Sequence, residues 1–285
     1  MLKASVFLAA TFVSYVTFER QRISLTSYTI SSDKVSRPYK LVQLSDLHGH
    51  VFVRDNQRLI KKVQALQPDC ICLTGDLITS TKASGDRVID LIKRLNVTCP
   101  IYYIRGNHEL AIENYVDWVD AYEKALQTCG VIILKNEAVS LGELMIYGIE
   151  VPLSAYRYVP SALLPSRHSQ NESDYLSCAP KTTEFSVLLS HTPFLESYYL
   201  EKQYDVILTG HVHGGIIQIP GVGGLLSPER TFFPKFSQGV YKLHESRLIV
   251  NRGLGCGKSL PIRVNNPPEI VEVIIVPSEE KLKQI

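Results

Sequence analysis

Short runs of apolar residues, each ending abruptly in polar residues, recur along the chain from about residue 39 onward. Runs this short, flanked by polar residues, are typical of strands buried in the middle of a sheet. The pattern predicts strands at 41–44, 70–73, 101–104, 144–149, 187–189, 206–208, 248–250 and 270–276.

Two segments between the first three runs have a different spacing. Residues 56–66 carry apolar side chains at 59, 60, 63 and 66, and residues 88–95 repeat the same kind of spacing. Apolar residues three and four apart predict amphipathic helices. Strands that alternate with helices predict a layered α/β fold, and the lack of long helices between the later strands favours a sandwich.

The N-terminal segment 4–18 is uncharged and mostly apolar, with Lys3 before it and Glu19, Arg20 and Arg22 after it. Its 15 residues are fewer than the roughly 20 of an ordinary membrane span, and they fit a short anchor or a signal-peptide core. No small-x-small cleavage site precedes Glu19, which favours a retained anchor over a cleaved signal or a core helix. The sequence therefore predicts attachment to the cell membrane, on a side that balanced flanking charges leave open.

The chain divides into three parts on this pattern. Residues 1–22 are the anchor or signal segment, residues 23–38 are a connector, and residues 39–285 are the main domain. The polar stretch 25–37 fits either a connector or an edge strand, and residues 160–181 are predicted to be a surface loop.

Charge and cysteine content exclude some functions. The 30 Lys and Arg nearly cancel the 28 Asp and Glu, so no nucleic-acid partner is expected. The six cysteines contain no C-x-x-C pair, and we expect Cys70 and Cys72 to be buried as small apolar side chains on one face of a strand.

Most of the polar strand endings contain histidine or aspartate. Because ligands bind beyond the carboxyl ends of strands in α/β sheets, these side chains are expected to converge. Asp46 and His48 are separated by one residue, as are His211 and His213. An extended or tightly turned segment can direct both side chains of such a pair toward one point. The converging residues are Asp46, His48, Asp76, Asn107, His191, His211 and His213.

These donors favour a metal centre. Carboxylate, amide and imidazole groups suit Mn²⁺, Fe or Zn²⁺, and no thiolate accompanies them. Seven ligands are more than one ion needs, and a carboxylate such as Asp76 can bridge two ions about 3.5–4 Å apart. The sequence therefore predicts two divalent ions, with Mn²⁺ favoured.

The motifs resemble those of the calcineurin-like metallophosphoesterases. That family has the patterns D-x-H, G-D, G-N-H-[DE], a solitary His and G-H-x-H, which stand here at 46–48, 75–76, 106–109, 191 and 210–213. The resemblance covers about residues 39–276 and implies a four-layer α/β/β/α sandwich. It also implies two ligand sets that share Asp76 as a bridge: Asp46, His48 and His213 for one ion, and Asn107, His191 and His211 for the other.

The C-terminal part is similar to the membrane-associated YkuE/YaeI-like branch of that family, in which an N-terminal anchor is usual. The similar segments are GHVHGGIIQIP, QGVY, NRGLG and PPEI. One departure is Thr79, where the family often has an acidic residue.

The expected activity is hydrolysis of a phosphoester or diphosphate by a hydroxide that two metal ions activate, on a small-molecule or lipid-linked substrate. His108 is the candidate for stabilising the transition state or protonating the leaving oxygen, and a purely supporting role stays open. A non-catalytic metal-binding scaffold is the alternative, although such a protein should have lost His108 or several ligands. Substrate, native metals and oligomeric state are left open by the sequence.

Two further features invite a phosphate-binding interpretation. The segment 252–259 resembles a P-loop, but it has Arg252 where glycine is needed, and Pro261 prevents the required helix. A structural turn is expected there, with contact between Arg252 and substrate as the alternative. Arg105 is expected either to reach a phosphate or to form a surface ion pair.

Overall fold

A computed structural model describes residues 2–113, 117–156, 183–257 and 261–282. The predicted surface loop 160–181 lies outside the described residues. The helices are α1 Leu2–Glu19, α2 Gln57–Leu66, α3 Lys82–Leu95, α4 Asn107–Glu113, α5 Val119–Thr128, α6 Glu196–Lys202 and α7 Glu279–Leu282. The strands are β1 Ser24–Ser32, β2 Tyr39–Leu44, β3 Cys70–Thr74, β4 Ile101–Ile104, β5 Val131–Ile133, β6 Glu137–Leu141, β7 Leu144–Gly148, β8 Phe185–Leu189, β9 Val206–Thr209, β10 Gln218–Ile219, β11 Gly223–Gly224, β12 Gly239–Leu243, β13 Ser246–Val250 and β14 Glu269–Pro277.

The first sheet has six strands in the order β1-β14-β2-β3-β4-β5. Strands β2 to β5 are parallel, and helices α2 and α3 make the first two crossovers between them. Strand β14 runs antiparallel to β2 and parallel to β1. The polar stretch 25–37 therefore contributes to an edge strand, one of the two alternatives that its sequence allowed.

The second sheet also has six strands, in the order β12-β13-β9-β8-β7-β6. Its central strands β7, β8, β9 and β13 are parallel, and β6 and β12 close its edges in the antiparallel direction. Strands β10 and β11 form a separate two-stranded sheet. All eight predicted strands are present.

Three apolar cores separate four layers. One core lies between the two sheets and contains Leu41, Cys70, Cys72 and side chains of β7, β8 and β9. A second packs α2, α3 and α5 on the outer face of the first sheet, and a third packs α6 on the outer face of the second. Leu41 and Val42 point into different cores because neighbouring strand residues face opposite ways. The four-layer α/β/β/α prediction is confirmed, and Cys70 and Cys72 are buried free thiols as predicted.

The predicted membrane segment forms α1, of which Val16 is buried and most apolar side chains are exposed. Within the described part of the chain, no helix reaches both the length and the apolarity that crossing a membrane requires.

Candidate metal centre

The turns that follow β2 and β3 are joined by backbone hydrogen bonds. Asp46 N–H donates to the carbonyl of Gly75 at 3.0 Å, and His48 N–H donates to the carbonyl of Asp76 at 3.0 Å. Because these strands are parallel neighbours, their carboxyl ends lie at one edge of the sheet. The bonds hold the side chains of Asp46, His48 and Asp76 beside one another.

Five of the predicted site residues have a left-handed backbone. Their φ angles lie between 49° and 70°, which costs a residue other than glycine on the order of 1 kcal/mol or more. Such strain persists where surrounding contacts enforce it, and it clusters at functional sites. The sequence allowed extended or tightly turned segments here, and the structure has tight turns at Asp46, His48, Asp76, His211 and His213.

One group of possible ligands consists of Asp46, His48 and His213. The Nε2 atoms of the two histidines are 3.1 Å apart, and Nε2 of His213 is 3.6 Å from Oδ1 of Asp46. Two nitrogens bound to one ion at about 2.1 Å and near a right angle lie roughly 3 Å apart. The spacing of these buried atoms therefore fits a shared metal ion.

A second group consists of Asp76, His191 and His211. Nδ1 of His191 lies 2.7 Å from the carbonyl of Thr74, which leaves Nε2 facing Oδ2 of Asp76 at 3.2 Å. Among the described residues, the buried Oδ1 of Asn107 has no hydrogen-bond partner, and the buried Nε2 of His191 has only its ion pairs with Asp76 and Asp46. An unpaired buried polar atom is costly, and a metal ion would satisfy Oδ1 of Asn107.

His108 belongs to a third group, with His48 and Asp76. Its Nε2 is 4.0 Å from Oδ2 of Asp76, and its side chain is 34% exposed. Its backbone N–H donates to Oδ1 of Asp76 at 2.8 Å, and Asn107 precedes it at the start of α4. His108 therefore lies beside the buried donors, where a molecule from solvent can reach it.

The two ligand groups differ in charge. Burial lowers the pKa of His48 to about 3 and that of His213 well below its usual value, so both imidazoles are neutral. Burial opposes charge on Asp76 and His191 also, but His191 and His108 hold the pKa of Asp76 well below its usual range. Against its own burial, His191 has its pKa raised to about 10 by Asp76. A cation there would take the place of the His191 proton.

Two glycines make room for the carboxylates. A Cβ at Gly106 would lie 2.2 Å from Oδ1 of Asp76, and one at Gly210 would lie 2.3 Å from Oδ2 of Asp46. The N–H of His211 then donates to the Asp46 carboxylate at 3.1 Å. The glycines of the G-N-H-E and G-H-V-H segments thus serve close packing.

Glu109 has a role that sequence reasoning did not assign. Its buried carboxylate accepts four backbone N–H groups, and so joins the turn after β3 to the start of α4. The donors are Gly106 at 2.9 Å, Asp76 at 2.9 Å, Leu77 at 2.7 Å and Ile78 at 3.2 Å. The position of Glu109 at the end of the G-N-H-E segment was the one sequence feature that could have indicated this role.

The glycine-rich segment packs against the turn that carries Asp46. Leu254 N–H donates to the carbonyl of Ser45 at 2.9 Å, and Gly255 N–H donates to that of Asp46 at 2.7 Å. A Cβ at Gly255 would lie 2.2 Å from the carbonyl oxygen of Leu47. In its described part, residues 252–257, the segment packs as the structural turn that the sequence predicted.

Two residues from the C-terminal part hold these turns in place, and sequence reasoning did not identify either. The buried guanidinium of Arg263 donates to the backbone carbonyls of Arg252, Gly253, Gly255 and Asn266. Asn266 Nδ2 donates to the carbonyl of His213 at 2.7 Å. No local pattern marks either residue.

The arginines considered for phosphate contact are engaged elsewhere. Arg252 pairs with Glu269 at 2.9 Å and also donates to Ser24. Arg105 is buried and pairs with Glu123 and, at 3.7 Å, with Glu150. The ion-pair alternative for Arg105 is therefore confirmed. The expected surface location is wrong, because the pair is buried.

Two aromatic residues lie against the histidines and were not predicted. The rings of Tyr156 and His211 are 5.2 Å apart, and those of Phe194 and His211 are 6.3 Å apart, both edge to face. Tyr156 also contacts the ring of His191 at 5.9 Å. These contacts restrict rotation of the imidazoles.

Comparison with known proteins finds similarity to phosphoesterases. The calcineurin-like phosphoesterase family model matches residues 39–215. The metallophosphoesterase YkuE of Bacillus subtilis is 28% identical over 264 residues, which cover 88% of this chain and 85% of the relative. A metallophosphoesterase of Aquifex aeolicus is 27% identical over 95% of this chain and 98% of its own length. The phosphodiesterase YaeI of Escherichia coli is 24% identical over 84% of this chain and 83% of its own length.

Proposed function

We propose that this chain, which belongs to the calcineurin-like phosphoesterase family, hydrolyses its substrate at a centre of two divalent ions. The chain is a hydrolase acting on phosphoesters, as its family and relatives indicate. What we add is the residues that hold the ions, the role of His108 and the kind of substrate. The bond cleaved is that of a phosphoester or a diphosphate, and the relative YaeI, a phosphodiesterase, favours a diester.

One observation carries this proposal: the two groups of buried donors adjoin at Asp76, whose Oδ2 lies 3.2 Å from Nε2 of His191 and 3.9 Å from Nε2 of His48. The first ion would be held by Asp46, His48 and His213, and the second by Asn107, His191 and His211. The unpaired buried Oδ1 of Asn107 and the approach of Nε2 of His191 to Oδ2 of Asp76 at 3.2 Å support the second set. Mixed oxygen and imidazole donors suit Mn²⁺, Fe and Zn²⁺, and we favour Mn²⁺.

Divalent ions bound there would lower the pKa of a water molecule and neutralise the phosphate oxygens. The protein side chains would position the substrate and supply a proton to the leaving oxygen. His108 is partly exposed and its Nε2 is 4.0 Å from Oδ2 of Asp76, so it can hold a substrate oxygen beside the centre. We assign it the donation of a proton to the leaving oxygen.

The alternative is a metal-binding scaffold without turnover. Such a protein would have no need of an accessible His108 beside the buried donors. Three overlapping groups that together contain His108 and all the proposed donors except Asn107 favour the enzyme.

Hydrolysis assays test the proposal. Bis(4-nitrophenyl) phosphate, 4-nitrophenyl phosphate and pyrophosphate are each incubated with the full chain and Mn²⁺, Fe²⁺ or Zn²⁺. We expect release of nitrophenol from the diester with Mn²⁺, a loss of that release in Asp76→Ala, and a smaller reduction in His108→Ala. Absence of hydrolysis with every substrate and metal, or equal rates in the variants, would contradict the proposal.

We also propose that α1 attaches the chain to a lipid bilayer, and that the substrate is lipid-linked. The helix exposes apolar side chains along its length, among them Val6, Phe7, Leu8, Phe12 and Val13 at 51–72% exposure. Leaving such side chains in water is unfavourable at about 25 cal/mol per Å². Gln21, two residues past the helix, contacts the loop that follows His48, because its Oε1 accepts the N–H of Val53 at 2.9 Å.

Flotation with liposomes tests this attachment. The full chain is expected to float with phosphatidylcholine and phosphatidylglycerol vesicles, and a chain lacking residues 2–19 is expected to remain at the bottom of the gradient. Recovery of the full chain apart from the vesicles would refute the attachment, and with it the reason for a lipid-linked substrate.

A further inference from the structure

Glu229 is a partly buried acidic residue that lies against the second ligand group. Its Oε1 is 3.1 Å from Nε2 of His211, and the two side chains are 10% and 5% exposed. It comes from the segment between β11 and β12, and it is 18 residues from His211 along the chain. Nothing in the sequence motifs points to it.

The turn that carries Glu229 is well fixed. Ser227 N–H donates to the carbonyl of Thr231 at 2.9 Å, and Arg230 N–H donates to that of Ser227 at 2.9 Å. Leu226 and Phe232 pair across the turn in an antiparallel bridge. The backbone therefore holds the carboxylate in place before any ligand binds.

The carboxylate of Glu229 contacts the imidazole of His211 but belongs to none of the ligand groups. Glu229 is in none of the three groups whose donor atoms lie within 4.8 Å of one another, whereas His211 is grouped with Asp76 and His191. A ring nitrogen whose proton is donated to a carboxylate has no lone pair for a metal ion. With Nε2 engaged by Glu229, Nδ1 is the nitrogen that remains for the ion.

We propose that Glu229 is a positioning residue that accepts the Nε2–H of His211 and so fixes the tautomer whose Nδ1 lone pair is free to bind metal. The inference rests on the proposed two-ion function for its purpose, but the tautomer itself is a property of the metal-free protein. Carboxylates that orient metal-binding histidines in this way typically contribute about 10- to 100-fold in metal affinity. The ring contacts of Tyr156 and Phe194 with His211 complete the support of this side chain.

Metal affinity is the first test. Mn²⁺ is titrated calorimetrically into the full chain, Glu229→Ala, Glu229→Gln and the exposed control Glu245→Gln. We expect Glu229→Ala to weaken one of the two sites about 10- to 100-fold and to leave the other unchanged. Glu229→Gln should recover most of the affinity, because its amide oxygen still accepts the Nε2–H. Equal affinities in Glu229→Ala and the control, or Glu229→Gln as weak as Glu229→Ala, would overturn the inference.

The tautomer is the second test, and it needs no metal. Long-range ¹H–¹⁵N spectra of the histidine-labelled, metal-free protein report which nitrogen carries the proton, and a His211→Asn spectrum assigns the signal. We expect the Nε2–H form in the wild type and a mixture of forms in Glu229→Ala. An Nδ1–H form in the wild type overturns the inference. If the tautomer is as expected but the wild type binds fewer than two ions, the two-ion proposal fails and the assignment of Glu229 stands.

Discussion

The site has two halves, and they are held in place by different kinds of contact. The first-sheet half lies on the turns after β2, β3 and β4 and contains Asp46, His48, Asp76, Asn107 and His108. Its turns are joined by backbone hydrogen bonds and by Glu109, which lies within one of its own motifs.

The second-sheet half contains His191, His211 and His213, on the turns after β8 and β9. Its support comes from elsewhere in the chain: from Thr74 for His191, from Glu229 for His211, and from Asn266 for His213. The halves meet at Asp76, which faces His191 across the gap between the sheets. The first-sheet half is therefore held by contacts among its own turns and by the glycine-rich segment packed on the Asp46 turn, whereas the second-sheet half is held by residues outside its motifs.

The largest expected effect is that of removing the residue on which both halves depend. Asp76→Ala should abolish binding at both ion sites and lower kcat/KM more than about a thousandfold, because metal charge stabilisation amounts to several kcal/mol. Steady-state assays and metal analysis measure it, with the exposed Asp86→Ala as the control. A variant within tenfold of the wild type would show that the halves do not share this carboxylate.

His108→Gln should separate chemistry from metal binding within the first-sheet half. We expect kcat to fall about a hundredfold or more, the usual contribution of a general acid, with metal content unchanged. The loss should be smaller for a substrate whose leaving group is the weakly basic 4-nitrophenolate. An equal loss for strongly and weakly basic leaving groups would exclude proton donation.

Much of the first-sheet half could be predicted from the sequence, because its ligands follow directly after apolar runs that predict buried strands. Asp46, His48 and Asp76 stand at such positions, and Glu109 follows within a motif. The supports of the second-sheet half could not be predicted. Glu229 and Asn266 reach their histidines only through tertiary folding, and neither has a spacing that marks it.

The fold shows the same division. The buried strands and amphipathic helices could be predicted because burial of one or two faces produces a pattern of apolar and polar residues in the sequence. Whether residues 25–37 contribute a strand depended on pairing with β14. At its start, the hydroxyl of Ser24 donates to the carbonyl of Pro268, 244 residues away. No local signal reports such a contact.

Glu109→Gln should weaken the first-sheet half through its backbone. Losing a charged acceptor of four buried N–H groups should lower the free energy of unfolding by about 2–3 kcal/mol. Urea denaturation measures it, with the exposed Glu201→Gln as the control. An unchanged midpoint would mean that the turns hold their shape without the carboxylate.

The two halves should contribute oppositely to the pH dependence of stability in the metal-free protein. The pKa of His48 falls from 6.5 to about 3 on folding, so its contribution to stability is present above pH 6.5 and is lost as the pH falls toward 3. The pKa of His191 rises from 6.5 to about 10, so its contribution is present below pH 6.5 and is lost as the pH rises toward 10.

Thermal unfolding of the chelator-treated protein measures these two limbs, each expected to be a few degrees. His48→Gln should flatten the acid limb and His191→Gln the alkaline limb. If both variants flatten the same limb, the electrostatic contrast between the halves is wrong.

The most direct test of the account is a count of bound ions. Equilibrium dialysis against Mn²⁺ followed by elemental analysis should find two ions per chain in the wild type and one in each of His213→Ala and His191→Ala, one variant from each ligand group. A wild type that binds fewer than two ions, or variants that still bind two, would contradict the central claim that these groups form a centre of two ions sharing Asp76.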